Sequence, residues 1–133
     1  MRTTLMKRTV AGLLPTAFLV VGCAHSQVQV EGPQGRAMTT KAPRSVTVER
    51  GSREMVKVSV ERRGFYGPVT VSLSEMPRGV HVDRRSQTIE TDMATFVLTA
   101  NKNADLVTGH VVEVTTEAKG MRSHTHFTLD VEY

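Results

Sequence analysis

The chain has 133 residues, room for one domain of ordinary size. Apolar residues make up 39%, with no Trp, two Tyr and four Phe, so the core has to be built from slim, mostly branched side chains, which favour sheet over a helix bundle. A single Cys excludes an internal disulfide, and the formal charge of +4 raises a nucleic-acid reading that the placement of the charges removes.

Residues 1–8 hold Arg2, Lys7 and Arg8 and no acid, and Val10 to Val21 (VAGLLPTAFLVV) carries no charge. A basic start followed by a short apolar run is the pattern of a secretory signal peptide. The run has Pro15 inside it and falls well short of the roughly 20 residues that a membrane-crossing helix needs. It ends Val20-Val21-Gly22-Cys23. An aliphatic residue, a small or branched one, Gly and then Cys resemble the lipobox of bacterial lipoproteins. The resemblance implies that Val20, Val21 and Gly22 are recognised by the signal peptidase, that the Cys23 thiol receives a diacylglycerol, and that cleavage falls before Cys23. Two acyl chains, or three if the freed amine is also acylated, hold a protein stably where one chain is marginal, because each buried methylene contributes about 0.8 kcal/mol. Ala24 stands where an Asp would favour inner-membrane retention in enteric-type bacteria. The implied location is therefore the cell envelope, at the outer membrane where the organism has one.

Loss of residues 1–22 takes the 17 basic residues to 14, against 13 acidic ones, so the mature chain is near +1. The longest basic clusters left are Arg62-Arg63 and Arg84-Arg85, which read as solvated turns, and nucleic acid is not an expected partner.

Residues 24–44 (AHSQVQVEGPQGRAMTTKAPR) are rich in Gly, Pro, Gln, Thr and Ser and keep no sustained period. With Cys23 they are expected to form a flexible tether of roughly 25 Å root-mean-square reach, although Gln27–Val30 alternates and admits a short strand. From Ser45 the period becomes two. Val46 and Val48, then Val56, Val58 and Val60, then Val69, Val71 and Leu73 alternate with polar residues. Ala94, Phe96 and Leu98, then Val112 and Val114, then Phe127, Leu129 and Val131 follow the same rule. Such alternation marks half-buried antiparallel strands. Arg50-Gly51-Ser52, Gly64 to Pro68, Met76-Pro77-Arg78-Gly79, Asn101 to Asp105 and Lys119-Gly120 supply the turns. Seven or eight short strands at this spacing predict an all-β sandwich over 45–133, after a signal peptide at 1–22 and a lipidated tether at 23–44.

Three stretches, Val46-Thr47-Val48-Glu49-Arg50-Gly51, Gly64-Phe65-Tyr66-Gly67-Pro68-Val69 and Met76-Pro77-Arg78-Gly79-Val80, resemble the immunoglobulin-like domains of bacterial surface and secreted proteins. The resemblance implies an immunoglobulin-like antiparallel β-sandwich, without the core Trp and Cys pair of antibody domains. With no catalytic set in the sequence, the expected role is that of a non-enzymatic envelope lipoprotein presenting this domain for protein binding or a structural or accessory role. Strand addition at an open edge is one mode, and the long final strand, Arg122 to Tyr133, is the candidate edge.

With Lys119-Gly120 as the hairpin loop, Glu117 faces Arg122, Glu113 faces His126 and Val112 faces Phe127. His124 and His126 then share one strand face, and with Glu113 they make a candidate metal or ligand site. Zinc needs three or four protein ligands, so this set is thin, and two solvated histidines are the simpler expectation. His110 has core parity and reads as structural. Asn101, Asn103 and Asp105 start like a calcium loop, but Leu106 stands where Gly is needed and Val112 where Glu is needed. A turn capped by Asn or Asp is expected instead. In Phe65-Tyr66 the first ring is expected to plug the sandwich and the second to sit on the loop. Asp83, Glu90 and Asp92 read as solvated acids. No nucleophile–base set and no phosphate loop emerges, so no enzyme activity and no cofactor is expected.

Overall fold

The alternating segments pair into ten strands in a computed structural model that describes residues 25–133. In chain order they are β1 (His25–Glu31), β2 (Ala37–Pro43), β3 (Ser45–Glu49), β4 (Arg53–Arg63) and β5 (Val69–Ser74). There follow β6 (Val80–Val82), β7 (Ser86–Ile89), β8 (Met93–Ala100), β9 (Val107–Ala118) and β10 (Met121–Glu132). One sheet runs β1-β2-β4-β8-β6 and the other β3-β10-β9-β5-β7. The protein is an all-β sandwich. The strands β2-β4-β8-β6 and β5-β9-β10 reproduce, in chain order, the two sheets of a constant-type immunoglobulin sandwich, with β1, β3 and β7 added at the edges.

Three expectations change. Ten strands stand where seven or eight were expected, because residues 25–43 of the expected tether form β1 and β2. Ala37, Met38, Thr39, Thr40 and Ala42 are all buried, so both faces of β2 are covered. A strand covered on both sides needs no polar–apolar alternation, which is why its sequence does not look like one. The sandwich is also not wholly antiparallel. The chain leaves one sheet at Arg44 and enters the other as β3, which runs parallel to β10 from Ser45 opposite Thr128 to Glu49 opposite Glu132. The Thr128 N–H donates to the Arg44 carbonyl at 3.1 Å and holds the crossing. Finally, β10 is no edge: β9 and β3 flank it, and β1 packs over its upper half through a Ser26–Thr125 hydroxyl pair.

The core is the inward half of each alternation. Phe96, Phe127, Leu98, Leu129 and Met38 are its largest fully buried side chains, filled in by Val56, Val58, Val60, Val69, Val71 and Val112. Met121 and Phe65 join the same cluster. At the loop end that β1 and β2 cover, the inward positions turn polar. Thr40 and Thr116 share a hydrogen bond at 2.9 Å, and Thr116 and Ser123 share another, all three hydroxyls being buried. Pairing one hydroxyl with the next removes the penalty of burying them singly.

The stretch of β8 that the short β6 leaves unpaired is closed by side chains. Above β6, the Val97 N–H of β8 donates to Asp83 Oδ1 at 3.0 Å, and Gln87 Nε2 donates to the Thr95 carbonyl at 2.8 Å. These contacts occupy backbone groups that an edge would otherwise offer to another chain.

Candidate functional site

Arg62 is the penultimate residue of β4, and two loops converge on it. The Arg62 side chain is only 10% exposed. Its Nε donates to the Gly67 carbonyl at 2.9 Å, Nη1 to the Thr91 carbonyl at 3.0 Å and Nη2 to the Ile89 carbonyl at 3.1 Å. The planar fork of a guanidinium can serve all three at once, which an ammonium cannot. Asp92 adds a looser contact at 3.4 Å from a carboxylate that is 91% exposed, and such a pair contributes little. Arg62 thus staples the β4–β5 loop to the β7–β8 loop. The expectation that Arg62-Arg63 is a solvated pair holds for Arg63, which is exposed, and not for Arg62.

Beside this staple lies an open cleft of about 520 Å³ on the outer face of β2 and β4. Phe65 forms its floor and is buried in the core, while Tyr66 stands 90% exposed at its rim, as the loop sequence suggested. Lys41, Glu61, Glu90 and Asp92 line the cleft with Arg62. With the Arg62 charge turned to carbonyls, the open charges are three acids and one lysine. A stapled rim, an exposed phenol and an excess of acids thus share one cleft. Glu90 and Asp92 are therefore brought together with Glu61, from another strand, which sequence separation concealed. Asp83 lies elsewhere and receives the Val97 N–H, a bond that holds its carboxyl below the ordinary Asp range.

The histidine candidates take the expected register. His126 pairs with Glu113, Arg122 with Glu117 and Phe127 with Val112, across a two-residue loop in which Lys119 and Gly120 both have positive φ. His124 Nδ1 lies 3.7 Å from Glu113 Oε2, with both side chains about half exposed. His124 Nδ1 also lies 3.3 Å from the Thr115 hydroxyl. Among the described residues no three His, Cys, Asp or Glu side chains converge as a metal would require, so His124, His126 and Glu113 are not assembled into a ligand set. His110 is half-buried and bonds the Glu75 carbonyl through its Nε2.

In the Asn101–Asp105 loop the Ala104 N–H donates to the Asn101 carbonyl at 3.1 Å, and Asp105 pairs with Arg78 at 3.0 Å. This is a turn whose acid faces an arginine. That pairing lowers the Asp105 carboxyl from its ordinary range, through the hydrogen bond first. Cys23 and the neighbouring Val20, Val21 and Gly22 lie outside the described residues. No helix among the described residues is long and apolar enough to cross a membrane. No family model matches the chain, and no curated protein sequence matches it.

Proposed function

We propose that the protein is a bacterial envelope lipoprotein, anchored by a lipidated Cys23, whose immunoglobulin-like sandwich binds a protein partner without catalysis. One observation supports the anchor: every described strand, from His25 of β1 onward, lies after Cys23. Cleavage before Cys23 would remove the apolar leader and leave every described strand intact. The lipobox resemblance of Val20-Val21-Gly22-Cys23 supplies the rest, and Ala24 favours outer-membrane sorting where there is an outer membrane.

The cleft beside Tyr66 is the partner site best supported by the geometry. Its rim is held by the Arg62 staple, so a partner need not order it, and pre-ordered aromatic rims lose little entropy on binding. Glu61, Glu90 and Asp92 favour a cationic segment of the partner.

Two measurements test this. Intact mass of the protein extracted from membranes should equal residues 23–133 plus a diacylglyceryl group, and Cys23→Ala should give an unlipidated protein. A product starting at residue 1 or lacking the acyl mass would overturn the anchor. For the partner site, a photo-crosslinking residue at position 66 should give one discrete protein adduct in intact envelopes. The same residue at position 102, at the opposite end of the sandwich, should give none. Adducts of equal yield at both positions would overturn the cleft.

A further inference from the structure

We propose that the protein lies on its side against the membrane, with the β1–β3 flank centred on His25 facing the lipid headgroups. This orientation presupposes the lipidated Cys23 proposed above. Its ground is the length of chain between anchor and sandwich. An extended chain spans at most about 3.3–3.6 Å per residue, so the two steps from Cys23 to His25 cover about 7 Å.

His25 does not sit at an end of the sandwich. It pairs with Pro43, just where β2 gives way to β3. At that height Lys41 pairs with Ser59 in the middle of β4, and Ser45 pairs with Thr128 in the middle of β10. From Thr128 the nearer end of β10, Glu132, is four residues or about 13 Å away, and the farther end, Met121, is seven residues or about 23 Å away. An upright sandwich would therefore hold His25 about 13 Å or more above the headgroups, roughly twice the reach of so short a link. Lying on the flank puts the anchor point at the bilayer with no strain.

The chemistry of the flank agrees. Two shallow hollows of about 560 and 520 Å³ open on either side of His25. Met55, 59% exposed, and Lys57 line one, while Arg44 and His126 line the other. Glu54 is the single acid among the residues lining both. Two permanent cations and an exposed thioether suit a phosphate-bearing interface. The Tyr66 cleft is then carried to one side, in water.

The test uses the full lipidated protein, purified in detergent and reconstituted in vesicles of phosphatidylethanolamine and phosphatidylglycerol. Cys23 is occupied by lipid, so one added Cys can be labelled alone. Lys57→Cys and His126→Cys report the flank, and Tyr66→Cys and Lys102→Cys report the two ends; all four positions are exposed. Each carries a small fluorophore, and a headgroup-spin-labelled lipid serves as quencher. Quenching at both flank sites should exceed that at both ends by at least threefold. Equal quenching at all four sites, or stronger quenching at either end, overturns the orientation. Intact mass of the same sample separates the causes. Acyl mass with the wrong quenching pattern defeats the orientation alone, whereas absent acyl mass defeats the anchor and the orientation with it.

Discussion

Without the Arg62 guanidinium, the carbonyls of Gly67, Ile89 and Thr91 would have to turn to water, and the two loops would lose their common partner. Hydrogen bonds to charged groups contribute about 1.5–3 kcal/mol each when buried and less at a partly wet site. Arg62→Ala is therefore expected to destabilise by about 2 kcal/mol in urea unfolding, and Arg62→Lys to recover less than half of that. Gly79 and Gly109 make a sharper pair. Both have positive φ, 87° and 68°. A Cβ on Gly79 would lie 2.5 Å from the Ala104 Cα, whereas one on Gly109 meets nothing within 4 Å. Left-handed backbone alone costs a side chain about 1–2 kcal/mol, so Gly109→Ala should lose about 1 kcal/mol. Gly79→Ala adds a backbone collision and should lose about 3 kcal/mol or more, read in the same unfolding series. Asp83 gives a pH signature. Its folded carboxyl is held low by the Val97 N–H, so its stabilisation is complete above the unfolded value near 3.9 and is lost as pH falls through the lower folded value. Asp83→Asn should flatten part of the fall in stability below about pH 4.

Pairs of elements carry information that single residues do not. The buried hydroxyls link β2, β9 and β10 through Thr40, Thr116 and Ser123. Thr116→Val would strand two buried hydroxyls and should cost about 1–3 kcal/mol. Replacing all three, Thr40→Val with Thr116→Val and Ser123→Ala, should cost no more than the single change. A triple variant that simply sums three losses would show that the hydroxyls act separately. The β9–β10 hairpin shows the opposite case, where sequence sufficed. Lys119 and Gly120 adopt positive φ in a two-residue loop, and this turn sets the whole register from Met121 opposite Ala118 to Phe127 opposite Val112. A turn is decided within four residues, so it can be read locally. The strand partner of β3 and the residue that Thr40 meets across the sandwich cannot, because they lie some 80 residues away along the chain in β10 and β9.

The whole molecule begins earlier than its alternating segments. A chain starting at Ser45 keeps every strand with clear alternation but lacks β1 and β2. It would lose Met38 and Ala42 from the core and leave the upper half of β4, from Ser59 to Arg63, without its outer neighbour. Such a chain is expected to lose its cooperative urea transition, while one starting at His25 unfolds in a single step. Circular dichroism and tryptophan-independent probes such as amide exchange would distinguish them. The all-β class, the Val-rich core, the hairpin register and the inward Phe65 with outward Tyr66 were all decided by the order of residues alone. Each depends on a period of two or on turn chemistry, and both act between neighbours. Tertiary structure alone decided that Ala37 to Thr40 is buried on both faces, that the chain changes sheets at Arg44, and that Arg62 faces carbonyls instead of water. Those outcomes depend on which distant segment lies alongside, and a contact formed across the sandwich leaves no period in the strand that makes it.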